Sequence, residues 1–303
     1  MVELANISKE GKLVPFDMWN SYISGLKKEV AEHPAISDQK KAISILTQPI
    51  SDAVKKRIPK EKFGIFFSGG VDSTIIAFLC KRFEGNFICY TVGIEGSKDI
   101  EESLKAAKAL GFVHKTKIFS INEAENLFKR TAAILKEKTD VVSLGVGGVV
   151  LAAIEHAKKD NIKIFFGGLG SEEIFAGYER HVEAQNINDE CWTGLSGMWN
   201  RDFVRDFRIA ESTKVVFLTP FLDKELMLAA MQISGNLKIK DGQKKYILRK
   251  TAESLGLPEE FASRPKKAAQ YGSNFDKALT KIAKSKGFRF KSEYIEYLKN
   301  VKS

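Results

Sequence analysis

Apolar positions recur at helical spacing twice near the start of the chain. Trp19, Ile23, Leu26 and Val30 form one set, and Ile43, Leu46, Ile50 and Val54 the next. They predict two amphipathic helices within 15–58 that cover the sheet edge or the approach to the first strand. From residue 63 the pattern changes. Runs rich in aromatic and β-branched residues at 63–67, 86–92, 115–119 and 162–166 alternate with longer segments at 75–83, 100–110, 121–138 and 149–159. Apolar runs without polar alternation suit strands buried on both faces, and the longer segments suit helices packed on them. Residues 93–97 read as a loop, Asp99 as the N-cap of the helix that follows, and Gly111 as its stop. Repeated βα units of this kind predict an α/β fold with a doubly wound parallel sheet. After about residue 188 the alternation fades. Segments carrying Trp192, Trp199, Phe203 and Phe207, then 222–232 and 246–255, read as helices. The division expected is 1–58 as a helical segment, 59–187 as the α/β core and 188–303 as a mostly helical part of the same domain. No low-complexity linker separates the two halves.

Composition changes this picture little. The 303 residues are 44% hydrophobic and 28% charged, in the range of a soluble globular protein. Cys80, Cys89 and Cys191 are odd in number and form no pair at metal-ligand spacing, as in a reduced intracellular protein. The opening residues lack a sustained apolar core, and the longest apolar stretch, 141–154, is glycine-rich and short of a bilayer span. The expectation is a cytoplasmic protein with no membrane partner. Lys and Arg outnumber Asp and Glu by 48 to 38, a net charge of +10. Much of the excess lies in 264–302, interleaved with Phe288, Phe290, Tyr294 and Tyr297. A solvated helical surface and a nucleic-acid patch both fit that pattern.

The chemistry concentrates after the first buried strand, in Ser68-Gly69-Gly70-Val71-Asp72-Ser73-Thr74. Gly69 and Gly70 let the backbone approach a ligand closely. The N–H groups at the start of the following helix favour an anion. Ser68, Ser73 and Thr74 add hydroxyl donors, and Asp72 supplies a carboxylate for a phosphate-bound Mg²⁺. No Gly-Lys-Ser/Thr follows, so this is not a Walker A loop, and it is not Gly-x-Gly-x-x-Gly. The plain alternative is a tight βα turn that happens to hold two glycines.

A second turn of the same type follows the fourth strand: Gly167-Gly168-Leu169-Gly170-Ser171-Glu172-Glu173-Ile174-Phe175-Ala176-Gly177-Tyr178. Two such turns at neighbouring strand ends place Asp72 and Glu172 around one Mg²⁺. Taken alone, Glu172 and Glu173 are first-turn acids that complement a helix dipole.

Ser-Gly-Gly-x-Asp-Ser resembles the PP-loop of the ATP pyrophosphatases, which cut ATP between its α- and β-phosphates. With the second turn, the chain resembles the synthetase domain of the asparagine synthetase family over roughly residues 53–273. Pro220-Phe221-Leu222-Asp223, Lys245-Tyr246-Ile247-Leu248-Arg249 and Arg264-Pro265-Lys266 follow in the family's order. The runs 264–273 and 177–181 are most similar to the divergent asparagine synthetase domain-containing proteins. The resemblance implies an adenine nucleotide alpha-hydrolase-like fold, with ATP and Mg²⁺ bound. It implies ATP contacts from Ser68, Gly69, Gly70, Asp72, Ser73, Thr74, Val92, Gly168, Gly170 and Ser171, metal contacts from Asp72 and Glu172, and catalytic cations at Lys245 and Lys266. In the implied reaction a carboxylate is adenylated with release of pyrophosphate, and ammonia or an amine then displaces AMP to give an amide. Charge neutralisation on the leaving pyrophosphate is the main demand on the protein. Arg249 and Arg264 read either as part of that machinery or as packing and helix-end residues.

Three departures bear on function. Leu169 stands where the family has an acid, and Val216-Phe217-Leu218 where it has Glu-x-Arg, which leaves aspartate an open question as substrate. Glu172 replaces the usual Asp, keeping the charge on a longer arm. Val2, not cysteine, follows Met1, so glutamine hydrolysis is not expected within this chain. Nitrogen is then expected as free ammonia, from a separate glutaminase, or from another amine. Two other readings stay open: a PP-loop enzyme that modifies tRNA, and a non-catalytic ATP-binding scaffold. His114, His156 and His181 read as surface or packing residues.

Overall fold

The computed structural model describes residues 8–9, 12–265 and 268–300. Its centre is a five-stranded parallel sheet of β1 (Phe63–Phe66), β2 (Phe87–Ile94), β3 (His114–Phe119), β4 (Ile164–Phe166) and β5 (Val216–Leu218). The spatial order is β3-β2-β1-β4-β5. Ile65 pairs with Cys89 on one side and Phe166 on the other, and Ile164 pairs with Val216. The chain winds outward from β1 to β3, then returns to β4 on β1's other flank. The crevice at the carboxyl ends of β1 and β4 is therefore the topological switch point, where sheets of this kind bind ligands.

Helices α1 (Phe16–Ala31), α2 (Gln39–Lys55), α3 (Val71–Arg82), α4 (Lys98–Leu110), α5 (Ile121–Leu135) and α6 (Val141–Ala157) precede β4. Their starts follow local capping chemistry. Asp38 accepts from the Lys41 N–H, Ser120 and Glu123 close a reciprocal box, and Asp140 accepts from Val142 and Ser143. Beyond β4 come α7 (Ile187–Met198), α8 (Val204–Thr213), α9 (Lys224–Gln232), α10 (Tyr246–Ser254), α11 (Phe275–Ser285) and α12 (Lys291–Asn300), with shorter turns between them. The doubly wound α/β architecture is the one the hydrophobic pattern predicts.

Five details differ from the expectation. β2 runs on through Gly93 to Ile94, where a loop is expected from residue 93. Ser97, not Asp99, caps α4, because its hydroxyl accepts from the Ile100 N–H, while Asp99 is buried in the first turn. The helix expected over 121–138 stops at Leu135 and ends in a single 3₁₀ turn, Lys136–Lys138. The segment Val216–Leu218 is a fifth strand, invisible as one because it is three residues long and follows helices directly. Finally, α6 begins at Val141, two turns before the expected start, because its glycines are tolerated where small residues meet Phe128, Ile209 and Gln270.

With its terminal turn α6 forms the 20-residue apolar segment Val141–Asp160, long enough by length and composition to cross a membrane, contrary to the estimate from 141–154 alone. It packs on β1, β2, α5 and α8 inside the fold. Helices α1 and α2 make their main contacts with α7, α9 and α10 instead of the sheet edge. The three cysteines are buried thiols.

Candidate active site

The turn after β1 delivers the first half of the site. Gly70 is the N-cap of α3, and the Thr74 N–H closes the first helical bond to its carbonyl at 2.9 Å. Side-chain hydroxyls brace the turn. The Ser68 N–H donates to Ser73 Oγ, the Gly70 N–H donates to Ser68 Oγ, and Ser73 Oγ donates to the Gly70 carbonyl. Gly69 carries φ +70, and a Cβ there would lie 2.9 Å from Arg264 Nη1. Both the left-handed backbone and the crowding demand glycine. Asp72, Ser73 and Thr74 are buried on the helix's first turn.

The turn after β4 faces it across the switch point. There Ser171–Ile174 forms a single helical turn. Lys245 ties the two turns together. Its Nζ lies 2.7 and 2.8 Å from the Asp72 carboxylate oxygens, 2.9 Å from Glu172 Oε1 and 2.9 Å from Ser171 Oγ. Lys245 is itself buried and holds φ +57 immediately before α10, a conformation that costs a residue with a Cβ about 1–2 kcal/mol. Gly177 makes room for this knot, since a Cβ there would lie 1.6 Å from Glu172 Oε2 and 2.4 Å from Lys245 Cε.

Two arginines form the scaffold around it. Buried Arg249 donates to the carbonyls of Lys244, Ala262 and Arg264, at 3.0, 2.6 and 2.9 Å. The last contact carries Arg264 over the phosphate turn. Its guanidinium donates to the Ser68 carbonyl and reaches Asp99 Oδ1 at 3.3 Å and Glu102 at 3.7 Å.

A cleft of about 330 Å³ opens between the turns, within the usual size of a small-molecule site. Ser68, Asp72, Ser73, Val92, Gly168 and Glu172 line it. The other residues singled out from sequence, Gly69, Gly70, Thr74, Gly170, Ser171 and Lys245, are not among its lining residues; Lys266 lies outside the described residues. Thr74 Oγ1 is buried without a hydrogen-bond partner among the described residues.

The far wall holds charges that sequence reasoning missed. Arg201 is bonded to buried Glu173 and to Asp202, and Arg205 to Asp202 and Asp206. Burial pushes the Glu173 carboxyl up to about 7, with Asp202 adding and Arg201 opposing. Glu173 is thus no surface acid serving a helix dipole. A π-turn, Trp199–Phe203, sets Arg201 and Asp202 against this wall. The available signal was the repeat Arg201-Asp202 and Arg205-Asp206, four residues apart, between aromatic core positions.

Among the described residues no cluster of three or more His, Cys, Asp or Glu side chains is placed to hold a metal ion. Asp72 and Glu172 nonetheless converge on one cation, Lys245 Nζ, so two hard oxygen donors meet at the mouth of the phosphate turn.

The sequence profile of the asparagine synthase family matches residues 46–209 and 183–289, which contain both turns and Lys245. This chain belongs to the asparagine synthase family. It is 31% identical to a protein of Methanocaldococcus jannaschii assigned as a glutamine-hydrolysing asparagine synthetase, over 91% of this chain and 58% of that one. It is 26% identical to glutamine-hydrolysing asparagine synthetase B of Escherichia coli, over 80% of this chain and 47% of that one. The chain thus spans about half the length of these relatives. Among solved structures, the NMN synthetase of Francisella tularensis superposes with a TM-score of 0.42 at 14% identity, covering 88% of this chain and 94% of that one, a likeness too distant to bear on function.

Proposed function

We propose that this asparagine synthase family member is an ATP-dependent, AMP-forming ligase that joins a carboxylate to ammonia or another amine. The observation that carries the proposal is the knot of Asp72, Glu172 and Ser171 on Lys245 Nζ, which links two amide-rich turns at the switch point. In this reading the triphosphate lies over residues 68–74, where the positive end of α3 and the hydroxyls of Ser68 and Ser73 receive it. The base lies towards Val92 and Gly168. A carboxylate oxygen attacks the α-phosphorus while the bond to the β-phosphate oxygen breaks, so pyrophosphate leaves. The amine then attacks the acyl carbon, AMP departs with the bonding pair, and the amine loses a proton. Asp72 and Glu172 would hold Mg²⁺, which would supply charge neutralisation. Lys245, and Lys266 by its place in the family motif, add cations to the same task.

The test is pyrophosphate release measured with ATP, Mg²⁺ and a panel of carboxylates. The expected result is release that depends on both ATP and a carboxylate and that drops at least a hundredfold in Asp72→Ala. Unchanged release in that variant would refute the assignment. Ammonium, glutamine and primary amines, compared as nitrogen sources, then identify the donor.

A second reading, an ATP-binding scaffold without turnover, is favoured by Leu169 and Leu218, which stand where the family has an acid and an arginine. Nucleotide binding with no AMP formed under any condition would select it. Modification of tRNA draws on the PP-loop resemblance and on the basic balance of the chain, much of it in the carboxy-terminal segment. There Tyr294 is buried, and Phe288 packs against it and Tyr297.

A further inference from the structure

The cleft has two chemically different ends. At one stand the hydroxyls and carboxylate of the phosphate turn. The other is lined by Val142, Val146, Val149 and Val150 of α6 together with Phe66, Phe217 and Leu169. The three inner valines, Phe66 and Leu169 are only half-buried, and Val142 is 46% exposed. Apolar surface left open inside a concave site, beside a few placed polar groups, marks where the body of a ligand packs.

The charges of that wall add a second constraint. Both guanidinium groups lining the cleft are already matched, Arg201 to Glu173 and Asp202, and Arg205 to Asp202 and Asp206. A second carboxylate on the substrate would enter beside Asp202 and Asp206, where Arg205 is buried and Arg201, 31% exposed, is already shared between Glu173 and Asp202. Bringing an unmatched charge into such a site is costly.

We infer that the acceptor is a monocarboxylate with an aliphatic or aromatic body, seated against the α6 valines with its carboxylate turned towards the phosphate turn. This rests on the ligase reading above and narrows its substrate class. Leu169 links the two ends, since it follows Gly168 of the phosphate side and lines the same cleft as the valines. One methylene in a fitted apolar pocket is worth roughly tenfold to 200-fold in discrimination. A body of several carbons therefore separates apolar acids from dicarboxylates clearly.

The experiment is calorimetric titration of the full chain with Mg²⁺ and α,β-methylene-ATP, followed by 3-phenylpropanoate, 4-methylpentanoate, L-aspartate or succinate. The expected result is that the two apolar acids bind at least tenfold more tightly than either dicarboxylate. Leu169→Glu, on a turn, and Val149→Asp, on the helix wall, each lower apolar affinity at least tenfold while the nucleotide analogue binds as before. Equal or tighter binding of aspartate or succinate overturns the inference. So does the absence of any carboxylate binding beside bound nucleotide, or unchanged apolar affinity in both variants. Failure of the nucleotide analogue to bind counts against the ligase reading instead. The acid preference is then read from titrations without nucleotide, by the same tenfold criterion.

Discussion

The Lys245 ammonium lies 2.7 and 2.8 Å from the two carboxylate oxygens of Asp72, a residue 173 positions earlier in the chain. Both side chains are buried. The carboxylate belongs to the helix that starts at the phosphate turn, and the ammonium to the turn before α10. One contact therefore joins the two halves of the chain at the point where the sheet's winding reverses. Removing one partner of a buried pair leaves the other charged, desolvated and unmatched, at a typical cost of about 3–5 kcal/mol. Lys245→Met is expected to lower unfolding free energy by that order in urea melts. Asp72→Asn combined with Lys245→Met is expected to cost clearly less than the sum of the two single changes. Additive losses would show that the pair is not coupled.

Gly177 is the second test of the same knot. An added methyl would overlap Glu172 Oε2 at 1.6 Å, so Gly177→Ala must displace Glu172, Lys245 or both. Overpacking of this kind typically costs about 1–3 kcal/mol. The expected outcome is a lower melting temperature together with at least tenfold weaker ATP binding. Ala at Gly25, inside α1 where a Cβ meets nothing within 4 Å, serves as the control and is expected to leave ATP binding unchanged and to hold or raise the melting temperature.

Arg264 acts on the loop and not on the core. Its bond to the Ser68 carbonyl is charge-assisted, the stronger kind of hydrogen bond, worth about 1.5–3 kcal/mol. Arg264→Gln is expected to weaken ATP binding by about tenfold or more while leaving α10 folded through Arg249. Calorimetry and far-ultraviolet circular dichroism read the two effects separately. Unchanged nucleotide affinity would reduce Arg264 to a packing residue.

Much of this architecture was legible in the residues. Buried strands at 63–67 and 162–166 announce themselves because parallel strands are apolar on both faces, and the glycine turns that follow them are short-range signals. What the chain concealed was set by distance. Val216–Leu218 is a strand only because Ile164–Phe166 lies beside it, and no local pattern carries that information. Asp99 sits at a natural capping position, yet Ser97 two residues earlier takes the cap, and Asp99 is recruited by Arg264, 165 positions away. The wall of Arg201, Asp202, Arg205 and Asp206 was hidden among the aromatic positions of two helices. Asp202, Arg205 and Asp206 are buried and Arg201 partly so, each matched by the others, which residue type alone does not disclose.

Acid sensitivity follows from two histidines. Burial holds both His114 and His181 down to about 4, from an ordinary value near 6.5, with Arg180 also lowering His181. A group whose folded value is depressed stays neutral in the fold but takes up a proton when unfolded. Stability from both is therefore present above about 6.5 and lost as pH falls through about 4. His114→Gln is expected to flatten the fall in unfolding free energy between pH 6.5 and 4, measured by urea titration at each pH. An unchanged slope would place the acid response elsewhere.

The central claim is that ATP spans the two glycine turns with its phosphates beside Asp72, Glu172 and Lys245. The most direct measurement is a crystal structure with Mg²⁺ and α,β-methylene-ATP. The account predicts the triphosphate over residues 68–74, with the metal ion touching Asp72 and Glu172 and the α-phosphate open towards Leu169. Nucleotide bound away from these turns, or a metal ion that touches neither carboxylate, would contradict it.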